Sequence, residues 1–331
     1  MAELIDAYDR RIDYLRISIT DHCNLDCFYC TPFGGRTRML QREILRYEEI
    51  LQVVEAAVLA GISKVRITGG EPLLRKDMVG LCRMLADIEG LENLALTTNG
   101  VLLEELALPL FEAGARRINI SLDTLIPERF EKITGRDYLH RVLNGIERAE
   151  RVGFFPVKIN TVVMRGINND EIEDFARLTF EKPCHVRFIE LMPINGRSSK
   201  NQSSLFVPVE EIVKQVKSVG DLCLEHETKS FGPARMYKLK GGIGKVGFIT
   251  PMSRHFCGSC NRLRLTAEGK LRTCLFSETE IDIKEPLRKG ISTEELIDVF
   301  FRLAVKEKPQ RHDLINNRGE VSGRGMYAIG G

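Results

Sequence analysis

The chain has no tryptophan, almost no net charge and no long apolar run, and each absence narrows what it can be. Its 331 residues carry a formal charge of only +2, so no general attraction to nucleic acid or to a membrane surface is expected. No stretch of roughly twenty apolar residues is present, which leaves no candidate for a membrane-spanning helix. The first ten residues are acidic and polar, unlike a secretory signal. We therefore expect a cytoplasmic protein.

Strand-like and helix-like segments alternate over the first two thirds of the chain, which predicts repeated βα units and a parallel sheet. Within the strand candidates apolar and polar residues alternate, as in Leu15, Ile17 and Ile19 against Arg16 and Ser18. A parallel strand covered on both faces would be almost wholly apolar, so one face here packs on helices and the other lines something polar. The predicted strands are Tyr14–Thr20, Lys64–Thr68, Leu94–Thr98, Arg117–Leu122, Val157–Val163 and Val186–Leu191.

A barrel with a solvated, basic cavity fits this alternation best, so we expect an α/β fold with an incomplete (βα)6 arrangement that resembles a TIM barrel. A doubly wound sheet shares the βα repeat, and an antiparallel sheet with one wet face shares the alternation, although the intervening helices argue against the latter. Beyond the barrel, residues 193–208 are polar and predict a loop or linker. The chain ends in SGRGMYAIGG, which shows no helical pattern. We expect two domains, residues 1–220 and 221–331.

Nine cysteines are the informative part of the composition, because clustered cysteines in a cytosolic chain favour metal or redox chemistry over disulfides. Cys82, Cys184 and Cys223 stand alone and are expected to be packing residues. The other six form two groups, Cys23, Cys27 and Cys30 near the start and Cys257, Cys260 and Cys274 near the end. We call these the first and second cysteine groups.

The first group follows the first predicted strand with the spacing CxxxCxxC. Three thiolates within eight residues can bind one face of a [4Fe–4S] cluster and leave one iron open to a chelator such as an amino acid. Loops after barrel strands are also where such folds carry active sites. The alternative is a zinc site completed by His22 or a distant residue. In the second group thirteen residues separate Cys260 from Cys274, and zinc with His255 as a ligand is as well favoured as a second cluster.

Two motifs resemble the signature of the radical S-adenosylmethionine superfamily, CNLDCFYC over residues 23–30 and TGGEP over residues 68–72. Together with CGSCNRLRLT over residues 257–266, the later cysteine and the terminal Gly-Gly, they make the whole chain similar to the GTP 3′,8-cyclase family. This resemblance implies two [4Fe–4S] clusters, the first binding S-adenosylmethionine and the second binding the guanine ring of GTP. It therefore implies a barrel with a C-terminal iron–sulfur module.

The resemblance also implies individual binding residues. The positions matched to S-adenosylmethionine are Tyr29, Gly70, Ser121 and Met192. Those matched to GTP are Arg16, Arg66, Thr97, Lys158, Arg262, Leu263 and Arg264, with Lys64 and Arg187 as further candidates. Arg262 and Arg264 are the expected catalytic pair, and their spacing on a strand puts both side chains on one face. Four more residues could hydrogen-bond a ligand but are not among the expected contacts, namely Asn24, Glu71, Asn99 and Asp123.

The implied activity is that of a lyase converting GTP to (8S)-3′,8-cyclo-7,8-dihydroguanosine 5′-triphosphate, the first step of molybdenum cofactor biosynthesis. The resemblance further implies an external electron donor, a downstream cyclic pyranopterin monophosphate synthase, a possible homodimer and a Gly330-Gly331 tail inserted into the active site. Two alternatives remain open. One is a peptide-modifying radical enzyme, which usually has more downstream cysteines than this chain. The other is a non-enzymatic zinc or iron–sulfur protein.

Overall fold

The computed structural model describes residues 3–30, 38–193, 204–225, 232–311 and 325–329. Six βα units form its first two thirds, and the six predicted strands are confirmed to within two residues at each end. The strands are β1 (Tyr14–Ser18), β2 (Lys64–Thr68), β3 (Asn93–Thr98), β4 (Arg117–Ser121), β5 (Lys158–Val163) and β6 (His185–Glu190). The helices are α1 (Tyr47–Leu59), α2 (Met78–Ala86), α3 (Leu103–Glu112), α4 (Pro127–Thr134), α5 (Leu139–Val152) and α6 (Ile172–Glu181).

The rest of the chain adds short strands and helices. They are α7 (Val209–Val219), β7 (Leu222–Leu224), β8 (Arg235–Leu239), β9 (Lys245–Ile249), β10 (Arg262–Leu265), β11 (Lys270–Arg272), β12 (Glu280–Asp282) and α8 (Lys284–Arg288). A helical stretch then runs through Thr293–Glu295, a π-helical segment Leu296–Phe301 and Arg302–Lys306. Within the described ranges, no helix is long and apolar enough to cross a membrane.

The C-terminal tail contains a helix although its sequence shows no helical pattern. Met326–Ile329 forms a short helix in which Tyr327, Ala328 and Ile329 are buried. Four residues make barely one turn, which is too short to show a helical period in the sequence. Burial of these apolar side chains, rather than a local pattern, accounts for the turn. Gly330 and Gly331 lie outside the described residues.

The twelve strands of the described residues belong to one sheet, in the order β12-β11-β10-β1-β2-β3-β4-β5-β6-β9-β8-β7. The strands from β10 through β1–β6 to β9 are parallel, and antiparallel pairs follow at both ends. The two ends of this order are different strands, so the described sheet is open, which confirms the incomplete barrel. The C-terminal region supplies β10 to one edge of the six-stranded barrel and β9 to the other. The proposed boundary at residue 220 therefore runs between hydrogen-bonded strands of one sheet.

The strand alternation decides which side chains enter the core. Leu15 of β1 and Leu263 of β10 are completely buried in the apolar cluster between sheet and helices. Their neighbours in sequence face the other side of the sheet, because side chains of a strand alternate with period two. Parallel pairing puts Arg16 opposite Arg264 on one side and opposite Arg66 on the other. The register of three strands therefore creates a row of arginines on the polar face.

Candidate active site

One cavity of about 330 Å³ joins both cysteine groups to the polar face of the sheet. Its walls come from strands β1–β6, β9 and β10 and from the loops that carry the cysteines. The predicted site residues that line it are Arg16, Cys23, Cys27, Tyr29, Cys30, Arg66, Gly70, Thr97, Ser121, Lys158, Arg187, Met192, Cys257, Cys260, Arg262, Arg264 and Cys274. Met326 and Tyr327 of the C-terminal helix line it as well, and nothing in the sequence pattern indicated them.

Leu263 and Lys64 are the two predicted residues that lie elsewhere. The Leu263 side chain is fully buried in the hydrophobic core, because it stands between two cavity-facing arginines on an alternating strand. Only main-chain atoms at this position are available to a ligand in the cavity. Lys64, the first residue of β2, instead forms an ion pair with Asp13, with 2.6 Å between Nζ and Oδ2.

Gly69 and Gly70 pack against the backbone that leads into the first cysteine group. A Cβ atom on Gly69 would stand 2.6 Å from the carbonyl oxygen of Thr20, and one on Gly70 would stand 2.3 Å from that of His22. The Gly70 amide also donates to the Thr20 carbonyl at 2.6 Å. The close approach for which glycine is required is therefore made to the chain itself, and it holds the loop before Cys23 against the end of β2.

A buried carboxyl group, Glu71, anchors a hydrogen-bond network beside the first cysteine group. It accepts from the Thr98 hydroxyl and from the Asn99 amide, both at 2.7 Å. The Asn99 side chain donates to Asn24 Oδ1 at 2.7 Å and contacts Cys23 Sγ at 3.7 Å. Neither Glu71 nor Asn99 is among the contacts expected from the sequence. The position of Asn99 directly after β3, at the end of the sheet where barrels carry their sites, was the available signal.

Burial raises the pKa of Glu71 to about 7, and the hydrogen bonds from Asn99 and Thr98 offset this only in part. The pKa of Glu71 in the folded protein lies above its ordinary value of 4.5. Its contribution to stability is therefore largest below pH 4.5. The contribution is lost as the pH rises through about 7. We expect Glu71→Gln to reduce the drop in melting temperature between pH 5 and pH 8, measured by calorimetry.

The control for Glu71 is Glu89→Gln, which changes an exposed side chain by the same chemistry. It should keep the pH dependence of the unchanged protein. An identical drop in melting temperature for both variants would contradict the assignment to Glu71.

Tyr29 and Asp123 connect the first cysteine group to the strands opposite it. The Tyr29 hydroxyl donates to Asp123 Oδ2 at 2.5 Å, and the Val162 amide donates to Oδ1 at 2.8 Å. Burial raises the pKa of Asp123 to about 6, and these two hydrogen bonds lower it in part. Burial, followed by the charge of Asp123, raises the pKa of Tyr29 well above its usual value. The loops after β1 and β4 are thereby joined into one polar wall.

Arg16, Arg66, Arg262 and Arg264 form a second, cationic wall, which we call the arginine wall. Burial and then the charge of Arg264 lower the pKa of Arg16 well below its usual range. Burial and then the charge of Arg262 lower the pKa of Arg264 to about 10, although nearby thiols oppose this. Like charges this close repel each other in a desolvated site. The arginine wall is therefore electrostatically complementary to a polyanion such as a triphosphate.

The second cysteine group lies where two strands meet. Cys257 and Cys260 bracket a single turn just before β10, with the Cys260 amide donating to the Cys257 carbonyl at 3.1 Å. Cys274 comes shortly after β11, which pairs antiparallel with β10. Burial alone would raise the pKa of Cys260, but the charges of Arg262 and Lys308 outweigh it and lower the pKa to about 6. Cys260 is thus poised as a thiolate, the form that binds metal.

Both cysteine groups fit an iron–sulfur cluster with one open metal position. Each group supplies three thiols to the same cavity. Thiolates are soft ligands, and iron–sulfur clusters are bound by them. The zinc alternative would place its ligands around one metal ion. In the part of the chain that the structure describes, no three His, Cys, Asp or Glu side chains are arranged to hold a single metal ion. His255, the histidine that the zinc alternative would use, has its Nδ1 within hydrogen-bond distance of the Pro251 carbonyl oxygen, at 2.7 Å.

Two family models match the chain, the Radical SAM superfamily over residues 17–179 and Molybdenum Cofactor Synthesis C over residues 184–314. The GTP 3′,8-cyclase of Moorella thermoacetica is 51% identical over 326 residues, which cover 98% of this chain and 99% of the relative. That of Alkaliphilus oremlandii is 48% identical over 326 residues, with the same coverage.

Among solved structures, Streptococcus suis SuiB bound to S-adenosylmethionine superposes with a TM-score of 0.62 and 15% identity. The match covers 91% of this chain and 69% of SuiB. SuiB bound to the precursor peptide SuiA gives a TM-score of 0.60 at 13% identity. Identities this low establish a shared fold and nothing more.

Proposed function

This chain belongs to the GTP 3′,8-cyclase family of the radical S-adenosylmethionine superfamily, and we propose that the cavity is where it acts on GTP. The activity is the lyase reaction that converts GTP to (8S)-3′,8-cyclo-7,8-dihydroguanosine 5′-triphosphate and begins molybdenum cofactor biosynthesis. It depends on S-adenosylmethionine and an iron–sulfur cluster. The observation that carries the assignment to this cavity is that the arginine wall and both cysteine groups open into it.

Cys23, Cys27 and Cys30 are the proposed ligands of the first [4Fe–4S] cluster. When bound there, the cluster supplies the one-electron cleavage of S-adenosylmethionine that releases a 5′-deoxyadenosyl radical. The proposed contacts to S-adenosylmethionine are Tyr29, Gly70, Ser121 and Met192. Their wall is held in place by the hydrogen bonds of Asp123 and Glu71 described above, so its polar groups are oriented before the ligand arrives.

The arginine wall is the proposed binding site for the triphosphate, together with Thr97 and Lys158. Arg66 Nη1 donates to Thr97 Oγ1 at 3.3 Å, and Arg66 Nε is hydrogen-bonded to the Tyr14 hydroxyl, so this guanidinium is held in place from two sides. Cys257, Cys260 and Cys274 are the proposed ligands of a second [4Fe–4S] cluster, which would hold the guanine. A nucleotide anchored at both ends presents its ribose in a fixed orientation, which is what hydrogen abstraction at C3′ requires.

Arg262 and Arg264 are the proposed catalytic residues. Both are on β10, directly after the second cysteine group, and both face the cavity. Their N–H groups can orient the nucleotide and stabilise charge that develops on it during ring closure between C3′ and C8. The expected partners are an external electron donor and, for the product, cyclic pyranopterin monophosphate synthase.

The test is anaerobic incubation of reconstituted protein with GTP, S-adenosylmethionine and dithionite. We expect the cyclised nucleotide and 5′-deoxyadenosine to form in equal amounts, from protein containing about eight iron atoms per chain. Stoichiometric zinc with little iron would contradict the proposal and support the non-enzymatic alternative. The peptide-modifying alternative has only the fold of SuiB behind it, and 5′-deoxyadenosine that never accompanies a nucleotide product would favour it.

A further inference from the structure

Two buried cationic side chains, Lys308 and Arg10, hydrogen-bond to the second cysteine group from outside the cavity. Lys308 is 3% exposed and Arg10 is 6% exposed. Neither lines the cavity, so neither is placed to touch GTP or S-adenosylmethionine. Lysine and arginine are almost never buried without partners, because removing a charge from water is costly unless it is paired and hydrogen-bonded. The contacts that compensate these two charges therefore indicate what the residues do.

The ammonium group of Lys308 connects the two halves of the second cysteine group. Nζ donates to the carbonyl oxygens of Arg262 and Thr273, both at 2.7 Å, and lies 3.6 Å from Cys260 Sγ. These contacts match the three donors that an ammonium group possesses. Thr273 immediately precedes Cys274. One buried charge thus holds the start of β10 and the third cysteine at a fixed separation.

Arg10 holds the remaining cysteine of the group. Its Nη1 donates to the Cys257 carbonyl at 2.7 Å and to the Gln310 carbonyl at 3.1 Å. Nη2 donates to the Pro309 carbonyl at 2.7 Å. Nε pairs with the buried Asp6 carboxylate at 2.6 Å, which fixes the guanidinium from behind. The segment over residues 308–310 is therefore clamped between Arg10 and the turn that carries Cys257.

We propose that Lys308 and Arg10 are positioning residues that fix the second cysteine group and offset the negative charge of its thiolates. The inference rests on the proposed function, because it assumes a second cluster on these cysteines. Outer-shell groups of this kind orient metal ligands, and a positive charge beside a thiolate stabilises the reduced, more negative state of a cluster. Lys308 therefore raises the reduction potential of the second cluster and slows its loss, while Arg10 fixes the segment from which Lys308 projects.

The test compares Lys308→Met and Lys308→Arg with Lys306→Met, which removes an exposed charge two residues earlier in the chain. Iron content, potentiometric EPR titration and loss of iron to a chelator are measured on each reconstituted holoenzyme. In Lys308→Met we expect one of the two potentials to become more negative and one cluster to be lost about tenfold faster. Lys308→Arg should retain most of the wild-type potential because it keeps the charge, and Lys306→Met should match the wild type.

Different results would contradict the second cluster and the positioning role of Lys308. Wild-type protein with about four irons and a single potential would contradict the second cluster itself. Wild-type protein with two clusters, alongside a Lys308→Met variant that matches Lys306→Met in both potential and iron loss, would overturn the positioning role alone. If Lys308→Met does not fold, Arg10→Gln against Arg11→Gln gives the same comparison, because the Arg11 side chain is 60% exposed. Equal iron loss in that pair would overturn the inference.

Discussion

Replacing Cys27 by alanine should abolish cleavage of S-adenosylmethionine and lower the iron content from about eight to about four atoms per chain. The first cysteine group supplies three thiols, and the fourth iron has to stay open for the substrate chelate. No ligand is therefore spare, and loss of one thiol leaves the cluster with two. The second cysteine group lies in the turn before β10 and in the segment after β11, so it keeps its own ligands.

The matched control is Cys223→Ala. Cys223 belongs to neither group and is exposed, so the expectation that it is a packing residue is wrong, whereas Cys82 and Cys184 are buried as expected. 5′-Deoxyadenosine is quantified by chromatography after anaerobic incubation with dithionite, and iron is measured on the same samples. We expect Cys223→Ala to equal the wild type in both measurements. Undiminished 5′-deoxyadenosine formation by Cys27→Ala would remove the first cysteine group from the radical source.

The sequence predicted the barrel well because its signals are local. Alternation of apolar and polar residues located β1 and β2 and also indicated which face is polar, since both follow from the period of two along a strand. The addition of β10 and β9 to opposite edges of the sheet was not predictable in this way. Which strand pairs with which depends on contacts between residues far apart in sequence, and a four-residue strand carries too few positions to reveal its neighbours.

The same distinction, between features that local sequence predicts and features that depend on distant residues, holds for the site. Cysteine spacing predicted both groups, because the ligands of one cluster must lie close together in space and most of them here are also close together in sequence. Lys308 gave no signal, since a lysine between Glu307 and Pro309 reads as a surface charge until the fold buries it. Glu71 is recognisable in its motif, but the hydrogen bond that it accepts from Thr98 depends on the pairing of β2 with β3. What remains hidden in the sequence is the set of polar groups that position the ligands.

Arg264→Ala should reduce cyclisation of the nucleotide without reducing cleavage of S-adenosylmethionine. Arg264 is 7% exposed, lies beside Arg16 in the sheet and faces the cavity, so it is placed to bind the nucleotide and not to hold the first cysteine group. Loss of one fixed, desolvated donor of this kind costs about 10²–10³-fold in rate. We expect that loss in cyclised nucleotide, while dithionite-driven cleavage of S-adenosylmethionine continues. Arg264→Lys should fall between, because lysine keeps the charge but not the planar fork.

Both products are measured in the same reaction, so their ratio reports coupling independently of the amount of active enzyme. Arg302→Ala is the control, because its side chain is 52% exposed in a C-terminal helix. It should leave the wild-type ratio near one to one. An equal fall in nucleotide and 5′-deoxyadenosine for Arg264→Ala would show that the residue supports the whole fold or the first cluster. Unchanged nucleotide formation would mean that Arg264 neither binds the nucleotide nor contributes to its cyclisation.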